Sequence, residues 1–486
     1  MRETALSLRG EGLEFLPSPL GRGWPAAGAF ISRRGPGEGS LFGQGRTADL
    51  KNGGPRYTGP MSSLLIKGGH VISPEDQLDG ELDVLVEDGV IRQVAPQISL
   101  ATDEVLEAAG KVVSPGFVDI HVHLREPGGE VSETLETGLG AAVAGGFTAV
   151  CPMPNTKPVI DRPELVQAMI EKSRRIGLAR VLPIAAVSMG SQGESLTDLP
   201  ALAAAGAVAF SDDGRPVKTA GLLKRALELA RELNVPLMDH CEDPSLSGAG
   251  VINEGEVSRQ LGVRGIPSTS EDVCVARDLI VDEAVGAHLH VCHVSTARSI
   301  ELVRLAKRRG VRVTCEATPH HFTLTDQAVL EHGADAKVNP PLRSAQDVEA
   351  VVAALQDGTV DAIASDHAPH APELKSKPLG SGSPFGLIGL ETALGLALTR
   401  LVHTGKISLW HLVSLMSTNP ARIVNQPYGR LKVGAAADVT IFDPHLEWTY
   451  RTATGRSKSR NSPFDGWRLK GAVISTIVGG RVVYRL

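Results

Sequence analysis

Imidazoles and carboxylates gather at a handful of short words in this sequence. They are His121-Val122-His123, Asp212-Asp213, Asp239-His240, Cys292-His293 and Asp366-His367. Side chains alternate across a strand, so His121 and His123 face the same way and can grip one cation. A lone His-x-His is common on ordinary strands. The other words carry the metal reading, because each closes a strand-like run and supplies an imidazole, a carboxylate or both. Such donors suit zinc, with manganese or cobalt as substitutes. Zinc lowers the pKa of a bound water to about 7, so the chemistry on offer is hydrolysis at neutral pH. Cys241 and Cys292 adjoin His240 and His293. Alternation turns each away from its histidine neighbour, which makes both packing thiols rather than ligands.

Groups so far apart in the chain need a scaffold that gathers strand ends. Strand-like runs recur at Val118–Val122, Thr148–Cys151, Val181–Ala186, Val208–Phe210, Pro236–Asp239, His288–His293, Arg312–Cys315 and Asp361–Ser365. Helix-like segments lie between them, at 134–144, 162–175, 219–233, 270–285, 296–309 and 346–356. Eight such alternations over about 300 residues predict an α/β chain folded as a (β/α)8 TIM-like barrel. In that barrel the C-terminal strand ends meet at one mouth, where all the words would sit. An open doubly wound sheet is the alternative, but no G-x-G-x-x-G follows the first strand.

The two ends of the chain read differently. Residues 62–115 are short β segments between Gly, Pro and Asp clusters, and 438–484 repeat that character with Gly479-Gly480 as a hairpin turn. Together they predict one small β-sandwich, built from 61–115 and 427–486 around a barrel over 116–426. Residues 1–60 hold 13 Gly and 6 Pro. They read as a disordered leader or as a start codon placed too early. Residues 370–386, rich in Gly, Ser and Pro, suit a mobile loop near the mouth.

The formal charge is −6 and aromatic residues make up 4% of the 486. That leaves no basic field for nucleic acid or an anionic membrane, and few rings for stacking. The charge-free stretch 138–156 is broken by Gly145-Gly146, Pro152 and Pro154, so it does not read as a membrane span. Five cysteines without tight spacing suit a reducing cytoplasm. Residues 1–60 carry 8 basic and 5 acidic groups, so the remaining 426 stand at −9. An anionic substrate would then need local attraction, from metal cations and a nearby Arg125.

The run Pro115-Gly116-Phe117-Val118-Asp119-Ile120-His121-Val122-His123-Leu124-Arg125-Glu126-Pro127-Gly128 resembles the signature of class I dihydroorotases within the amidohydrolase superfamily. Further matching words follow in the family's order. They include Met153-Pro154-Asn155-Thr156, Ser211-Asp212-Asp213-Gly214, Thr318-Pro319-His320-His321, Val338-Asn339-Pro340-Pro341, Ser365-Asp366-His367-Ala368-Pro369-His370 and Ser383-Pro384-Phe385-Gly386. The resemblance spans about residues 62–486.

It implies reversible hydrolysis of L-dihydroorotate to N-carbamoyl-L-aspartate, the third step of de novo pyrimidine synthesis. It also implies zinc, one or two ions per subunit. His121, His123 and Asp366 would hold one, and His240 and His293 a second. The bridging place, a carboxylated lysine in many relatives, falls to an aspartate, and the motif register favours Asp213 over Asp212. Asp366 would be the proton shuttle for a metal-bound hydroxide. Arg125, Asn155 and His370 would take the substrate carboxylate, and Asn339 with the Gly386 backbone the ring amides. The implied associations are a homo-oligomer and an assembly with aspartate transcarbamoylase. Two alternatives are another cyclic amidohydrolase, of the allantoinase or dihydropyrimidinase type, and a silent scaffold for the transcarbamoylase.

Overall fold

The computed structural model describes residues 63–486. The leader expected over residues 1–60 lies outside the described residues. Strands from both ends of the chain share one eight-stranded sheet. Val439–Thr449 runs antiparallel to Val112–Pro115, with Thr440 opposite Ser114 and Ile441 opposite Val113. On the other side Val112–Pro115 neighbours Ser63–Ser73. Branched residues fill the core under this sheet, among them Ile66, Val84, Ile91, Val113, Val439 and Ile477. Gly479 and Gly480 both take positive φ, which lets a two-residue turn join Arg468–Val478 to Arg481–Arg485.

The middle of the chain alternates as expected. Phe117–Val122 pairs with Phe147–Pro152, which pairs with Arg180–Val181. Ile184–Ala185 then leads a second run through Ala209–Phe210, Leu237–Asp239, Leu289–Val291, Val313–Ala317 and Ala362–Ile363. Every pairing in these runs is parallel. The expected strand Val181–Ala186 is split at Pro183, whose missing N–H cannot join a ladder. An isolated parallel bridge joins Val122 to His367.

Helices follow the strands at Leu135–Ala144, Pro163–Ile176, Ala220–Leu233, Thr269–Val285, Ala297–Arg308 and Ala345–Asp357. Their starts follow capping rules. The hydroxyls of Thr219, Thr296 and Ser344 accept from the backbone N–H three residues on. Both strand faces are buried, as parallel sheets require. Phe117, Phe147 and Val150 pack toward the helices, and Val118, Ile120, Ala149 and Cys151 pack on the other face. The sequence reading missed the helix Leu199–Ala205 and the helical turns between Ala393 and Ile423. Those turns are only about five residues each, and residues 393–398 are buried throughout, so no amphipathic period marks them. Among the described residues, no helix is long and apolar enough to cross a membrane.

Candidate active site

His121 and His123 leave the end of the strand Phe117–Val122. Asp213, His240, His293 and Asp366 lie within three residues of the C-terminal ends of their own strands. Six side chains scattered over some 250 residues thus reach one place. Asp213 stands at its centre. Its Oδ1 lies 3.4 Å from His121 Nε2, 3.5 Å from His240 Nδ1 and 3.7 Å from His293 Nε2. Its Oδ2 lies 3.5 Å from His123 Nε2. Asp366 Oδ1 sits 3.1 Å from His123 Nε2 and 3.7 Å from His121 Nε2. The neighbouring Asp212 turns away and accepts from the Ser188 N–H and hydroxyl.

All six groups are buried. His121 Nε2, Asp213 Oδ1 and His293 Nδ1 nevertheless have no hydrogen-bond partner. Leaving such atoms unpaired costs about 1–3 kcal/mol each. Donor atoms of His121, His123 and Asp366 lie within 4.8 Å of one another, as do those of His121, Asp213 and His293. The donor set and its orphaned atoms therefore fit a bound metal. Imidazole and carboxylate are the donors that zinc accepts.

Buried carboxylates behind the ligands fix their orientation. Glu316 Oε1 lies 2.6 Å from His121 Nδ1, and Oε2 lies 3.2 Å from His290 Nε2. Burial pushes the Glu316 carboxyl up, but His121 and His290 outweigh it and bring it down to about 2. Asp119 accepts from the backbone N–H of His121 and of Ser365, which ties two strand ends together. Burial pushes the Asp119 carboxyl up to about 7. Burial also works on Asp366, yet the hydrogen bond from His123 and the charge of His121 hold it well below the carboxylate range. Sequence reasoning missed Glu316. The available signal was a carboxylate inside the apolar strand Val313–Ala317, which must be paired.

Three site residues take a left-handed backbone without being glycine: Arg125 at φ 60°, His293 at φ 30° and Asp366 at φ 44°. Such conformations cost energy and cluster at functional sites. They also correct one expectation. The turn at His293 breaks strand alternation, so Cys292 does not lie on the far side from the site. Its sulfur shares a buried group with His121 and Glu316, beneath the imidazole. Cys241 does turn away, into a group with Asp239, Cys274 and Asp278.

The other predicted residues border this centre. Arg125 Nε donates to Pro369 O at 3.0 Å, and its Nη2 lies 3.2 Å from His370 Nε2. Burial lowers the Arg125 guanidinium to about 10, which leaves it charged at neutral pH. Burial and the Arg125 charge together lower His370 to about 3, so its ring is neutral. Asn155 bonds His123 Nδ1 and reaches toward Asp213, rather than standing free for a substrate carboxylate. Asn339 Nδ2 donates to Glu242 and lies 3.2 Å from His240 Nε2. Gly386 takes φ 127°, and a Cβ there would stand 2.5 Å from the Ala368 Cβ. Only glycine fits that approach.

The segment 370–386 departs from its expected looseness. Pro372–Lys375 forms a helical turn. Lys375 Nζ donates to the carbonyls of Pro384 and Gly386, and Lys337 Nζ to those of Leu379 and Ser383. Two buried amines thus tie down a stretch whose composition alone suggested a free loop.

Fold and site fit a hydrolase of the amidohydrolase type, with side-chain groups able to hold a metal. The solved L-hydantoinase (dihydropyrimidinase) from Arthrobacter aurescens superposes with a TM-score of 0.79 at 26% identity, over 87% of this chain and 96% of that one. A family model described as dihydro-orotase-like matches residues 110–299. The dihydroorotase of Citrifermentans bemidjiense is 50% identical over 426 residues, covering 87% of this chain and all of the relative. That of Pelotomaculum thermopropionicum is 51% identical, over 86% of this chain and 98% of the relative. The chain belongs to the dihydroorotase family.

Proposed function

We propose that this chain interconverts L-dihydroorotate and N-carbamoyl-L-aspartate, adding water to the ring amide in one direction and releasing it in the other. The observation that carries the reading is the buried six-residue centre with Arg125, His370 and Gly386 at its edge. Identity near one half over the full length of dihydroorotases supports it. The place in metabolism would be the third step of de novo pyrimidine synthesis.

The finer architecture is a closed (β/α)8 barrel over 116–426 with a β-sandwich from 61–115 and 427–486. The bridge from Val122 to His367 supports closure, because it links the first parallel strand to the segment after the last. His121, His123 and Asp366 would hold one metal, His240 and His293 a second, with Asp213 between them. Zinc suits these donors, as one ion or two.

When bound, the cation polarises the ring carbonyl and makes a nearby water acidic enough to attack it. Asp366 Oδ1 accepts the proton of that water. As the carbon–nitrogen bond of the ring breaks, the same oxygen returns the proton to the departing nitrogen. Glu316 and Asp119 keep His121 and the turn at Ser365 in register. Arg125 would hold the substrate carboxylate in a two-bond fork. The neutral ring of His370 adds a third contact, and Asn339 with the backbone around Gly386 reads the ring amides. Asn155 orients His123 and Asp213 instead of meeting the carboxylate itself. The family resemblance further suggests a cytoplasmic homo-oligomer that can associate with aspartate transcarbamoylase.

The test is a direct assay of the purified chain, following both directions with metal content measured on the same sample. Turnover of dihydroorotate well above that of hydantoin or dihydrouracil is expected. A fully zinc-loaded sample that opens only the rings without a carboxylate would replace this reading with the hydantoinase type.

A further inference from the structure

The C-terminal segment reaches back under the substrate side of the site. Lys458 N donates to Glu133 Oε1 at 2.9 Å, and Ser459 Oγ to Ser132 O at 2.7 Å. Asn461 goes further. Its Oδ1 accepts from His370 N at 3.1 Å. Its Nδ2 donates to Ala368 O at 3.1 Å and to Gly386 O at 3.0 Å. Its own carbonyl accepts from Ile388 N at 2.9 Å. The side chain is 4% exposed, and every one of these bonds ends on backbone.

Asn461 therefore joins two stretches that are far apart in sequence from it and are the two that meet the substrate. One carries His370, beside Arg125 and the carboxylate pocket. The other carries Gly386, packed against Ala368 and beside the His370 ring. Gly386 O is shared with Lys375 Nζ at 2.8 Å, and Gly386 N donates to Lys337 O at 2.8 Å. The Gly386 peptide is thus held at both its N–H and its carbonyl.

We propose that Asn461 is a positioning residue for substrate binding: one amide from the C-terminal segment sets the spacing between the carboxylate pocket at His370 and the backbone around Gly386. This rests on the site reading above, in which those two residues meet dihydroorotate. An amide is suited to the task because it offers an acceptor and two donors on one rigid plane. Removing it takes away the bonds to the Ala368 carbonyl and the His370 N–H and one of the two donors to Gly386 O, and the two stretches lose their common tie. The groups affected hold the unreacting parts of the substrate, so the loss falls chiefly on KM.

The experiment compares Asn461→Ala, Lys375→Met, their double variant and His370→Ala in the full chain, with KM, kcat, metal content and Tm for each. Asn461→Ala is expected to raise KM for dihydroorotate by about tenfold, the effect of losing a buried hydrogen-bond partner. Its kcat should stay within about threefold and its metal content unchanged. Asn461 and Lys375 converge on Gly386 O, so their effects on KM should be less than additive. Should Asn461→Ala fail to fold, Asn461→Ser and Lys375→Met carry the same comparison. A KM for Asn461→Ala within twofold of the parent, with only Tm lowered, would overturn the proposal while His370→Ala still raises KM. An unchanged KM in His370→Ala would instead overturn the site reading, and the proposal with it.

Discussion

At the scale of single residues, the site is a set of imidazoles held by carboxylates. Asp366 lies beside the His121 and His123 imidazoles, and its proposed ligand and shuttle roles can be separated. Asp366→Ala should keep a similar Tm and much of its bound metal while kcat falls by at least about a thousandfold, within the range for general acid–base groups. Near-normal turnover in that variant would remove the shuttle role. Glu316 acts through His121. Glu316→Gln keeps the shape but loses the charge that orients the ring. Its metal affinity should weaken by about 10–100-fold, read by competition with a chelator. The histidine and aspartate ligand words were legible in the sequence because strand ends carry them in pairs. Glu316 and Asn461 were not, since neither sits in a pattern with a chemical reading.

At the scale of elements, turns decide more than strands do. Gly386→Ala places a Cβ 2.5 Å from the Ala368 Cβ in a backbone that side chains rarely adopt. The peptide must shift, so KM should rise about tenfold or more with metal content unchanged. The strand Leu289–Val291 offers a pH test away from the metal. Burial, then the charges of His290 and Arg312, lower His288 to about 3 from its ordinary 6.5. The folded chain therefore keeps His288 neutral where the unfolded chain would bind a proton. Stability contributed by this group is present above about pH 6.5 and is lost as pH falls toward 3. His288→Gln should show a shallower fall in Tm between pH 6.5 and 4 than the parent. Parallel slopes would place the acid sensitivity elsewhere. The parallel strands and their helices were readable from apolar runs and caps. Pro183 marked its own break, but no clear amphipathic period marked the short helical turns between Ala393 and Ile423.

At the scale of the whole molecule, the terminal sheet and the parallel strands meet through specific ties. Arg180 Nε and Nη2 donate to the two oxygens of Asp438 at 2.8 and 3.0 Å. Asp438 is 5% exposed and also accepts from Gly479 N. Arg180→Ala leaves that carboxylate without its fork, a change that costs about 3–5 kcal/mol for a buried pair. Tm should fall by several degrees while KM at low temperature stays near the parent value. An unchanged Tm would show that the fork contributes nothing to joining the two parts. The sequence by itself determined the alternation of strands and helices, the family, and the six residues that gather at the strand ends. It could do so because period, caps and short motif words are local. Only the tertiary structure decided that Cys292 lies close to His121 and Glu316, and that residues 370–386 are tied by buried lysines and Asn461. Those outcomes depend on a turn at positive φ and on partners from tens to well over a hundred residues away, whose distances no single stretch of sequence encodes.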